Sequence, residues 1–81
     1  MTGGTLHEAI RKLDAGDWDG AHALVQDDPS ADAAWIHAHL HRVEGDLANA
    51  GYWYRRAGRP VAVSDLQDER RAIVQALSSD R

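Results

Sequence analysis

Apolar residues recur along this chain at intervals of three and four, and each run is fenced by residues that start or stop helices. Thr5-Leu6-His7-Glu8 has the form of a capping box: the Thr5 hydroxyl can accept from the backbone NH three residues on, and Glu8 can reach back to the cap. Leu6, Ala9, Ile10 and Leu13 follow on one helical face. Gly16 stops that helix and Asp17 caps the next, whose apolar positions are Trp18, Ala21, Leu24 and Val25. Asp27-Asp28-Pro29-Ser30 breaks the chain, with Ser30 as the new cap. The third helix carries Ala33, Ile36, Leu40 and Val43 as its stripe. Gly45-Asp46 repeats the stop-and-cap device, and the fourth helix carries Ala50, Trp53, Tyr54 and Ala57 before Gly58-Arg59-Pro60 ends it. Ser64-Asp65-Leu66-Gln67 reads as a second capping box, opening a last helix with Leu66, Ile73, Val74 and Leu77. The tail, Ser78-Ser79-Asp80-Arg81, is expected to fray.

These signals predict one all-α domain over residues 1–81, with five helices in two antiparallel hairpins plus a C-terminal helix. The first hairpin spans 5–28, the second 31–57, and the last helix 64–78. Helix Thr5–Ala15 should pair with Asp17–Asp27, and Ala31–Glu44 with Leu47–Ala57, with Gly16 and Gly45 at positive φ. Gly16-Asp17-Trp18-Asp19-Gly20-Ala21 also aligns with Gly45-Asp46-Leu47-Ala48-Asn49-Ala50, 29 residues on. A small Ala one turn after each cap lets two helices approach closely, so Ala50 should be buried where the third and fourth helices cross.

The stretch from Ala34-Trp35 to Ala57, through Ala38, Gly45-Asp46, Ala50, Tyr54 and Ala57, resembles a tetratricopeptide repeat. The first hairpin shares Ala9, Gly16-Asp17 and Ala21 but places Thr5, Glu8 and Lys12 where the family buries apolar groups. The second hairpin is also similar to small uncharacterised bacterial proteins. The resemblance implies a protein-interaction module that binds a peptide segment or itself on the inner face of its hairpins. Asp32, Trp35, His39 and Arg42 fall at the ligand-facing positions, opposite the Ile36-Leu40-Val43 stripe. A Trp beside an Arg and a His suits an aromatic or acidic peptide group. The competing reading packs Trp35 under the last helix and leaves Arg42 solvated.

Composition narrows the function further. A hydrophobic fraction of 43% is globular. There is no Cys, so disulfide and thiolate chemistry are excluded. A formal net charge of −4 argues against a nucleic-acid partner. No run approaches the ~20 apolar residues of a membrane span, and no secretory signal is seen, so a cytoplasmic location is expected. Tyr52, Arg55 and Arg56 form an outer aromatic and basic patch near a helix C-terminus, where cations offset the dipole. Phosphate-loop and nucleophile-elbow patterns are absent, and no catalytic residues are identified. The carboxylate pairs Asp27-Asp28 and Asp68-Glu69 are read as solvated.

His37 and His41 stand four apart, with Glu44 one turn further. Imidazole pairs at this spacing can hold zinc or another divalent metal. His22 or Asp46 would be candidates for a further ligand. This gives an alternative function, a divalent-metal- or small-ligand-binding protein with or without catalysis. The repeat register favours the opposite view, with no metal cofactor: His37 and His41 face the fourth helix as structural residues, each hydrogen-bonded within the domain. Finally, Leu6, Ile10 and Leu13 are too apolar to leave in water. They should be covered by the last helix or across the two-fold axis of a homodimer, with the dimer preferred.

Overall fold

The computed structural model describes residues 2–79. Helices α1 (Thr2–Asp14), α2 (Trp18–Val25), α3 (Ala31–Glu44), α4 (Leu47–Ala57) and α5 (Leu66–Ser79) make up its regular structure. There is no strand among the described residues.

Local chemistry sets most of the boundaries. Asp17 accepts from the Gly20 NH at 2.9 Å, Ser30 Oγ from the Ala33 NH at 3.1 Å, and Asp46 from the Asn49 NH at 3.2 Å. Gly16 and Gly45 both sit at φ 86°, and Gly58 closes α4 at φ 72°. A Cβ is disfavoured in that region, which is why the chain turns at these glycines. Two ends differ from expectation. Helix α1 starts at Thr2, so Thr5 lies inside it, and Glu8 turns forward to pair with Arg11 instead of reaching back. Helix α5 is capped by Asp65, which accepts from the Asp68 NH at 2.8 Å, not by Ser64. It continues to Ser79; Asp80 and Arg81, part of the expected frayed tail, lie outside the described residues.

All five helices contribute to one core. α1 packs on α2 and α3 on α4, each pair joined by a short glycine turn, while α5 lies against α3 and α1. Ala50 is buried at the α3–α4 contact, as its small size requires. Leu6, Ile10 and Leu13 are buried within the single chain, beneath neighbours that include α5. That coverage supplies the within-chain alternative and removes the reason for which a two-fold partner was expected.

Helix α3 is the centre of the molecule. Every residue from Ala33 to His41 is buried, not only its apolar stripe. A helix enclosed on all sides must find partners for its polar side chains inside the protein. Two polar clusters result, on two different faces.

Candidate metal centre and the buried carboxylate

The first cluster forms around Glu69. This residue follows Leu66 by three and precedes Ile73 by four, so it lies on the apolar stripe of α5 and is carried into the core. It is 3% exposed, which overturns its reading as a solvated carboxylate; Asp68 beside it is exposed as expected. Four donors meet its two oxygens. His39 Nδ1 lies 2.8 Å and Arg42 Nη1 2.6 Å from Oε1, while Trp35 Nε1 donates to Oε2 at 3.0 Å and the Tyr54 hydroxyl donates to the same oxygen. Burial pushes the carboxyl's pKa up, but hydrogen bonds from His39, Tyr54 and Arg42 outweigh it and bring it down to about 2. The tyrosine hydroxyl is pushed the other way, first by burial and then by the carboxylate it donates to. Arg70 Nε donates to His39 Nε2 at 3.2 Å, so the His39 proton is assigned to Nδ1, facing Glu69.

Trp35, His39 and Arg42 were expected to face a partner peptide. The structure brings these three together on the chain's own α5. Trp35 does pack against the last helix, but Arg42 is paired with Glu69 and also donates to the Ser64 carbonyl at 2.6 Å. Asp32, the fourth expected member, is half-buried and takes no part in the cluster. A cleft of about 350 Å³ opens beside the knot between Trp35, Tyr54, Glu69 and the 59–64 connection, with the Arg59 guanidinium 3.5 Å from the Trp35 ring centre.

The second cluster lies where α2 meets α3. His22 on α2 joins His37 and His41 on α3, with ring centres 4.6, 5.6 and 5.0 Å apart for the pairs 22–37, 22–41 and 37–41. One nitrogen from each ring can be chosen so that all three lie within 4.8 Å of one another. Two indoles flank the group. Trp53 stacks on His37 at 3.8 Å, and Trp18 stacks on His22 at 4.9 Å while its Nε1 donates to the Leu40 carbonyl at 2.7 Å.

His41 has the burial and the hydrogen bond that were expected, whereas His37 has only the burial. His41 is buried with Nδ1 2.8 Å from Glu44 Oε1. His37 is 4% exposed, yet its Nδ1 has no hydrogen-bond partner among the described residues. The Tyr54 hydroxyl, on the fourth helix that His37 was expected to face, is engaged with Glu69. Burial, then the neighbouring His22 and His41, bring the His37 pKa down to about 4. The His22 pKa is also lowered, by burial and then by His41, against the raising influence of Glu44 and Asp19. Rings held neutral in this way keep a lone pair free.

The donor set fits a transition-metal ion. Imidazole nitrogens suit zinc, nickel or copper. Tetrahedral ligands on zinc stand about 3.4 Å apart, so nitrogens within 4.8 Å of one another need only small side-chain shifts to reach that geometry. His22, half-buried on a short helix, is the member with room to move. Glu44 accepts from His41 Nδ1, as carboxylates behind metal-bound histidines do, and with His41 and Asp46 it also forms a second group of possible ligands. Asp46 is occupied as the α4 cap, with both oxygens on Asn49. Sequence spacing revealed the 37–41 pair; His22 belongs to another helix, and only packing brings it in.

Tyr52, Arg55 and Arg56 are exposed, as expected for the outer face of α4. The Arg56 guanidinium stands 5.3 Å from the Trp53 ring centre and donates to the Tyr52 hydroxyl at 3.0 Å. No helix among the described residues is long and apolar enough to cross a membrane. Comparison with family models, curated proteins and solved structures gives no match to this chain.

Proposed function

We propose that this chain is a small helical protein that binds a divalent transition-metal ion through His22, His37 and His41. The observation that carries this reading is His37: a buried imidazole whose Nδ1 has no hydrogen-bond partner among the described residues, with a ring nitrogen within 4.8 Å of nitrogens on two further imidazoles. An unsatisfied buried polar atom costs about 1–3 kcal/mol, and an ion bound there would offset that cost. Glu44 behind His41 supports the same reading. Titration of metal-free protein with zinc, followed by calorimetry, should give one ion per chain. The His22→Ala variant should lose that binding while keeping its fold, because His22 is only half-buried. Binding that is absent in the native chain, or unchanged by His22→Ala, would rule the reading out.

A second reading, a protein-interaction module, rests on a separate observation. The α3–α4 face already holds a helix through a carboxylate, and that helix belongs to the chain itself. A partner with an acidic helix would have to displace α5. This reading expects α5 amides to exchange with solvent faster than those of α3 in native hydrogen exchange. Equal protection across the two helices would count against it, since α5 would then be a fixed part of the core.

A further inference from the structure

We propose that the three-imidazole site leaves its fourth position to an exchangeable small anion. This rests on the metal reading above and goes beyond it by naming the ligand class.

The argument is one of charge. Three neutral imidazoles bring no negative charge to a divalent cation, and the site is partly enclosed by the indoles of Trp18 and Trp53. In such surroundings an uncompensated charge is more costly than in water, so a negative fourth ligand is favoured. The chain has three carboxylates nearby, and two of them are held by other partners. Glu44 Oε1 is held by His41 Nδ1 at 2.8 Å, and moving it would release the ring it orients. Asp46 caps α4 through the Asn49 NH and holds the Asn49 side-chain amide at 2.9 Å. Asp19, exposed in the first turn of α2 and a neighbouring charge to His22, is the one of the three left to test as a fourth ligand. Zinc sites with three protein ligands characteristically keep the fourth position open to solvent or substrate. Arg56 stands 5.3 Å from the centre of the same indole that stacks on His37 and adds positive charge near the site. Trp18 acts as a wall, since its only N–H donor is taken by the Leu40 carbonyl.

Cobalt(II) separates this proposal from the reading beneath it, because its visible absorption reports both binding and coordination. The full chain loaded with cobalt should show the intense bands of a four-coordinate ion. Sodium azide should then shift those bands saturably, in the native chain and in Asp19→Asn alike. Intense bands that azide leaves unchanged would overturn the proposal and keep the metal site. A shift confined to Asp19→Asn would also overturn it, by identifying Asp19 as the fourth ligand. Absence of the intense bands would defeat the metal reading and the proposal together. His37→Leu serves as the control in which neither signal should appear.

Discussion

Replacing Glu69 with alanine is expected to remove about 3–5 kcal/mol from the unfolding free energy, the cost of breaking a buried ion pair by deleting one partner. The reason lies in what remains. Arg42, Trp35, His39 and Tyr54 would keep their buried positions and lose a shared acceptor. Arg42 carries a full charge and is largely enclosed, so its loss dominates. A domain of this size has a total stability of only about 5–15 kcal/mol, so α5 should detach or the whole chain unfold. Urea denaturation followed by circular dichroism measures the change. A loss below about 1 kcal/mol would mean the knot is open to water in solution. The same carboxylate sets an acid limit. Its folded-state pKa of about 2 lies below its ordinary value. The stability it supplies is therefore complete above the ordinary glutamate range near 4.3 and is lost as pH falls toward 2. Glu69→Gln should flatten that part of the stability curve.

His37→Leu should have the opposite character. The side chain is buried, and truncating or altering a large buried group ordinarily destabilises by a few kcal/mol. Here the substitution also removes the orphaned Nδ1, which is worth about 1–3 kcal/mol, and forfeits a stacked contact with Trp53 worth about 0.5–1.5 kcal/mol. In the presence of EDTA the variant is expected to be as stable as the native chain, or about 1 kcal/mol more stable. With zinc the order should reverse. An ion present at a hundredfold excess over its dissociation constant stabilises the native chain by about 2.7 kcal/mol and should do nothing for the variant. Thermal melts with EDTA and with zinc test both halves. A variant that is strongly destabilised in EDTA would identify His37 as an ordinary packing residue and remove the main support for a metal site.

The contrast between these residues shows where sequence reading stops. Most helix limits were legible because their causes are local: Asp17, Ser30 and Asp46 each cap a backbone NH three residues away, and Gly16 and Gly45 take a conformation that other residues avoid. The five-helix all-α class followed from these stops together with the spacing of apolar residues. The spacing of His37 and His41 was equally visible, as was the outward placement of Tyr52, Arg55 and Arg56. What decided the chemistry was long-range. Glu69 draws donors from 15 to 34 residues away, and His22 reaches the α3 pair from a different helix. A hint for Glu69 existed, as a charged residue interrupting the Leu66–Ile73–Leu77 stripe, but periodicity alone says only that such a residue faces inward. Which groups meet it depends on how α5 lies across α3, and that is fixed by close packing of the whole core. The sequence therefore determined the helices, their turns and their apolar faces by short-range hydrogen bonds and periodic burial. Only the tertiary structure decided that α3 is buried all round from Ala33 to His41, that its expected ligand face holds the chain's own carboxylate, and that His37 Nδ1 is left without a hydrogen bond among the described residues.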